Sequence, residues 1–152
     1  MNDSKQRFIT SIKEAVTENF NRDGNLVPVV LYRAEKGELC CYISECDGTE
    51  ESKDELAATI MRIRTFSPLV AYVCEAWTLK VNKEDFDKPM VMPSKSPNRE
   101  ENVIISFYFG LNESMVISAK INRDDSVPFL EEWSEPFPNV AGRYHQQTVS
   151  SN

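Results

Sequence analysis

Val103-Ile104-Ile105-Ser106-Phe107-Tyr108-Phe109-Gly110-Leu111 is followed at once by Asn112-Glu113 and then by Ser114-Met115-Val116-Ile117-Ser118-Ala119-Lys120-Ile121-Asn122-Arg123. The first run is branched and aromatic and is apolar at both parities. A strand over 103–111 therefore has both faces covered, either as a central strand beneath helices or at a subunit interface. Asn112-Glu113 makes a tight turn. Residues 114–123 return as a second strand, with Met115, Ile117, Ala119 and Ile121 on one face. The pair predicts an antiparallel sheet.

Upstream, Ser67-Pro68 ends a helix and 69–80 reads as a strand. The helix before it runs from about Ser52 to Thr65, with Leu56, Ile60 and Ile63 on its buried face. Acids at its start and Arg62 and Arg64 in its last turn suit the helix dipole. Earlier still, 26–34 and 38–44 form a hairpin around Glu35-Lys36-Gly37, and Pro28 favours an edge position or a strand start. Residues 4–20 carry Phe8, Ile9, Ile12, Ala15, Val16 and Phe20 at helical spacing, and Gly24 suits a left-handed exit. The predicted order is α-β-β-α-β-β-β. The fold class is α+β, a mostly antiparallel sheet of about five strands with two main helices packed on one face. Phe129, Leu130, Trp133 and Phe137, set among acids and prolines, read as a turn or short helix. Residues 1–145 are expected to form a single domain, with a flexible tail over 146–152.

The chain has 152 residues and a net charge of −7. That balance disfavours direct nucleic-acid binding, which needs basic residues to displace counterions, and disfavours an anionic membrane surface. No run approaches the ~18 apolar residues of a membrane span, and no signal-peptide core follows the polar N-terminus. A cytoplasmic location is expected. Cys40, Cys41, Cys46 and Cys74 are then reduced thiols, with Cys40 and Cys41 on opposite faces of a strand. No zinc-type ligand spacing, calcium loop, glycine-rich phosphate loop or G-x-S-x-G is present, so no metal and no cofactor are expected.

One residue is out of character. Val70-Ala71-Tyr72-Val73-Cys74-Glu75-Ala76-Trp77 places a carboxylate where a plain strand carries something apolar. A charge taken out of water needs a partner, and Arg99 on the following loop is the candidate. Glu75 and Trp77 share a face. They read either as a general acid or base beside a stacking indole, with Arg99 orienting an anionic substrate, or as an ion pair anchoring the loop.

Glu75-Ala76-Trp77, followed by Pro93-Ser94 and then Pro97, Arg99 and Glu101, resembles a pattern in uncharacterised small prokaryotic and phage-borne proteins. In those, an apolar strand ends in Glu-Ala-Trp, and a loop with Pro-Ser and Pro-x-Arg-x-Glu leads into another apolar strand. The likeness covers residues 69–108. It implies a bacterial or phage setting and a shared site-like loop. It implies no catalytic residue, since that family carries no assigned activity. The contact region is expected over the 82–101 loop with the strand residues beside it, at Glu75, Trp77, Ser94, Arg99 and Glu101.

The expected role is that of an accessory protein acting by binding and self-association, as a homodimer and with a possible protein partner. Two helices do not obviously cover both faces of five strands, which favours the dimer. A small enzyme using Glu75 is the alternative. A third reading takes the acids at 45–55 and 124–135 as a mimic of nucleic-acid phosphates, inhibiting a basic-groove protein; ordinary solubility explains the same charge.

Overall fold

The computed structural model describes residues 3–44, 48–79 and 99–138. Helix α1 (Asp3–Asp23) leads to strands β1 (Val29–Arg33) and β2 (Leu39–Ile43). Helix α2 (Glu50–Arg64) is followed by β3 (Val70–Leu79), β4 (Arg99–Phe109), β5 (Glu113–Asn122), β6 (Phe129–Trp133) and the two-residue β7 (Phe137–Pro138). The sheet order is β2-β1-β3-β4-β5-β6, with β7 alongside β5, and every pairing is antiparallel. The doubly apolar strand β4 lies inside the sheet between β3 and β5, as its composition requires.

The two helices lie on opposite faces, which corrects the expectation of one. Phe8, Ile9, Ile12, Val16 and Phe20 of α1 pack with Ala71, Val73, Val103, Ile105 and Phe107. Leu56, Ile60 and Ile63 of α2 pack with Val30, Val70, Tyr72 and Tyr108. Alternate residues of one strand point to opposite faces, so β3 and β4 each divide between the two clusters. The double parity of 103–109 is thereby satisfied within one chain. Burying a side chain such as Phe107 or Ile60 contributes about 1.5–3 kcal/mol.

Local chemistry sets the element ends. The Thr49 hydroxyl caps α2 by accepting from the Ser52 N–H at 3.1 Å. Gly24 closes α1 with φ +76°, its N–H donating to the Phe20 carbonyl at 2.6 Å. At the other end of α2, Arg64 is buried. Its Nε donates to the Gly110 carbonyl at 3.0 Å and its guanidinium lies 4.5 Å from the Tyr108 ring centroid. Burial lowers its pKa.

The segment around Phe129 is a strand, not a turn or short helix. Leu130 pairs with Ile121 and Trp133 with Ala119, so three steps on β6 match two on β5. The extra residue is a bulge. It turns both Leu130 and Trp133 toward α1, where the Trp133 Nε1–H donates to the Thr17 hydroxyl at 3.0 Å. A three-residue apolar spacing imitates a helix for that reason.

Candidate functional site

Glu75 sits on β3 facing the α1 side, in line with Ala71 and Val73. One of its carboxylate oxygens, Oε2, accepts the Leu26 N–H at 2.7 Å, tying the loop after α1 to the sheet. The other, Oε1, lies 3.3 Å from Arg123 Nη2. Arg123 also donates from Nε to Glu101 Oε2 at 2.7 Å and from Nη1 to the Gly24 carbonyl at 3.3 Å. Four separate chain segments meet at this node: the end of α1, β3, β4 and the turn after β5. The charge-assisted bond to Leu26 is the strong contact, of about 1.5–3 kcal/mol. The ion pairs of the part-exposed Arg123 contribute about 0–1 kcal/mol each.

Among the described side chains the ionic partner of Glu75 is Arg123, and the side chain of the expected partner, Arg99, lies outside the described residues. The backbone of Arg99 pairs with Leu79, whereas Glu75 pairs with Val103 four residues further along β4, about 13 Å away. Trp77 pairs directly with Glu101. Ser94, with the rest of the loop over 80–98, lies outside the described residues, as do Cys46 and His145. Two of the expected contact residues, Trp77 and Glu101, border a shallow cleft of about 230 Å³ with Lys120, Arg123, Asp124 and Glu131. Glu75 does not line it. Among the described residues no group of three acids, cysteines or histidines is placed to hold a metal ion.

Arg123 was hidden in the sequence between Asn122 and Asp124-Asp125, but a signal existed. Counting from the turn, Phe109 pairs with Glu113 and Asn102 with Lys120. Continued by one step, that register sets Glu101 against Ile121, so Arg123 is the diagonal neighbour of Glu101 on the same face.

A second feature lies at the other end of the sheet. Strand β2 is its edge, and no other strand pairs with its outer side among the described residues. Its sequence, Leu39-Cys40-Cys41-Tyr42-Ile43, has no charge, proline or bulge. Leu39, Tyr42 and Ile43 are 43%, 41% and 62% exposed. With Val27 and Phe66 they make up five of the eight large hydrophobic side chains exposed among the described residues, and all five gather around the β1–β2 hairpin. Phe66 rests edge-on against Tyr32 of β1, and Tyr32 pairs with Cys40. On the α1 face, a groove of about 340 Å³ between helix and hairpin is lined by Val16, Leu26, Val27, Leu31, Cys41 and Ile43. The opposite edge is guarded: β6 exposes Glu131 and Glu132 and carries the bulge.

Among the described residues no helix is long and apolar enough to cross a membrane. No protein-family model, curated protein or solved structure matches this chain.

Proposed function

We propose that this chain is a binding protein that self-associates through the β2 edge of its sheet. The observation that carries the reading is the uncharged, apolar and exposed strand 39–43 at an open edge. A row of unpaired N–H and C=O groups is a template for a further strand, and natural sheets block such rows with lysine, proline or bulges. The β6 edge has such protection and β2 has none. Apolar residues gathered at one end of a molecule with net charge −7 are costly to leave in water and fit an interface.

The acid–base reading of Glu75 has less support. Both its oxygens are engaged, one by a backbone N–H and one by Arg123, and it lies outside the Trp77 cleft. The node fits an anchor that holds the loop after α1. The setting we assign, an accessory protein of bacterial or phage origin, rests on the resemblance of residues 69–108, and its cytoplasmic location on the lack of any long apolar run in the sequence.

Light scattering across micromolar concentrations tests the proposal. The wild-type chain is expected at twice its 17.4 kDa mass, and Ile43→Lys at the single mass with unchanged circular dichroism. A wild-type chain that remains single at the highest concentration overturns self-association.

A further inference from the structure

Strand β2 exposes its polar backbone groups in a strict alternation. The Ala34 N–H donates to the Glu38 carbonyl at 2.8 Å and the Ser44 N–H to the Pro28 carbonyl at 3.0 Å. Between these bonds the hairpin pairs Tyr32 with Cys40 and Val30 with Tyr42. Hydrogen-bonded pairs in an antiparallel ladder recur every second residue. Residues 38, 40, 42 and 44 therefore turn their backbone groups toward β1. Leu39, Cys41 and Ile43 turn theirs to the open edge, a set symmetric about Cys41.

We infer that the occupant of this edge is a second copy of the same strand, antiparallel, with Cys41 on the two-fold axis. This rests on the self-association proposed above and adds its geometry. In that register all three outward residues of each strand find partners: Cys41 meets Cys41 of the partner subunit, and Leu39 meets Ile43 of the partner subunit. Any neighbouring register leaves an outward residue without a partner. A two-fold axis normal to the sheet keeps the same faces together. Leu39 of the partner subunit then lies beside Ile43, at the mouth of the groove formed with Val27 and Leu26. Tyr42, on the other face with Val30, meets Cys40 of the partner subunit.

Charge selects the antiparallel sense. Before β2, Arg33 and Lys36 balance Glu35 and Glu38; after it the start of α2 carries Glu50, Glu51, Asp54 and Glu55 against Lys53, which pairs with Glu50, and stays acidic. Antiparallel pairing sets the balanced end of one copy beside the acidic end of the other. Parallel pairing sets acid beside acid, which repels. The result is one continuous sheet running through both copies.

Nuclear Overhauser spectra of a mixed sample, half isotope-labelled and half unlabelled and kept reduced, test the register. In the inferred dimer Cys40 and Tyr42 of the two copies form a non-hydrogen-bonded pair with Cα atoms about 4.5 Å apart. An inter-copy cross-peak between their Hα protons is expected, one that residues two apart on a single strand do not give. A cross-peak joining Cys40 to Cys40, or Tyr42 to Tyr42, moves the axis and overturns the register while leaving self-association intact. A dimer with no inter-copy peak from residues 39–43 overturns the edge as the interface. A monomer at the concentration of the spectrum overturns both the inference and the function it rests on.

Discussion

The guanidinium of Arg123 reaches the Glu75 carboxylate at 3.3 Å, although the strand before Arg123 and the strand bearing Glu75 do not pair. The arginine spans the width of β4 and grips Glu101 on the way. One cation therefore serves two carboxylates on neighbouring strands and the Gly24 carbonyl at the end of α1. A carboxylate on an apolar strand face reads in sequence either as an acid–base group or as an anchoring ion pair; in space its Oε2 ties the loop after α1 to the sheet.

That role separates three substitutions. Glu75→Gln keeps an oxygen to accept the Leu26 N–H and loses only the ionic part, so a cost of about 1 kcal/mol is expected. Glu75→Ala leaves that part-buried N–H without its acceptor, and about 2–3 kcal/mol is expected. Arg123→Gln falls near 1 kcal/mol, because its pairs are partly exposed and screened. Urea denaturation of the three variants checks the order Ala, then Gln and Arg123→Gln together. Equal losses for Glu75→Ala and Glu75→Gln would show that the Leu26 bond contributes nothing.

The thiols should differ sharply. Burial pushes Cys74 up to about 11, with a smaller opposing effect from its bond to Tyr72. Cys41 is exposed. At pH 7.5 alkylation of Cys74 is expected to be more than ~100-fold slower than that of Cys41 in dilute protein, since only the thiolate reacts. Cys41 should itself slow as concentration rises and the edge closes. Mass spectrometry of labelled peptides reads both. The linkage sign follows: the raised folded value favours the neutral thiol in the native state. That contribution is complete below the ordinary value of 9.0 and is lost as pH rises toward about 11. Cys74→Ser should flatten the alkaline fall in stability.

The sequence was most informative where a pattern was long and regular. The two-parity run 103–109 placed β4 inside the sheet, and the stripe from Phe8 to Phe20 placed α1. It was misleading where one local event broke the period. The bulge opposite Ala119 and Ile121 put Leu130 and Trp133 three apart, so β6 resembled a helical turn. The double coverage of β4 left helices or a subunit interface as the cover, and the expectation that put both helices on one face was the part that failed. At the node, Glu75 was visible as an anomaly because it interrupts apolar residues. Its partner was not, because Arg123 stands among polar neighbours and is singled out only by the hairpin register. Pro28 marked a strand start, since it immediately precedes β1, which lies inside the sheet; the edge position of β2 was not signalled, because which strand lies outermost is a property of the order in space.

Arg62 and Arg64 show the same contrast within one turn of α2. Both suit the helix dipole in sequence, but Arg62 is exposed and Arg64 is buried over Tyr108. Arg62→Ala is expected to cost a few tenths of a kcal/mol at most, about the value of a surface change. Arg64→Met keeps most of the stem but removes the donor to the Gly110 carbonyl and the ring contact, and about 1.5–3 kcal/mol is expected. Thermal melts compare them directly. Equal shifts would mean that the buried guanidinium contributes no more than the dipole interaction both share.

Hydrogen exchange along β2 gives the last prediction and separates the two sides of a single strand. The amides of Cys40 and Tyr42 face β1 and should be protected at every protein concentration, in step with the rest of the hairpin. Those of Leu39, Cys41 and Ile43 face the open edge and should exchange freely when the protein is dilute. Raising the concentration should protect these three and leave the first two unchanged, because only the outward bonds depend on a second chain. In Ile43→Lys the alternation should persist at all concentrations, since the hairpin survives while the outer ladder does not form. Protection of Leu39, Cys41 and Ile43 that persists at dilutions where light scattering reads the single mass would mean that the edge is covered from within one chain, and the surface proposed for self-association would then be closed.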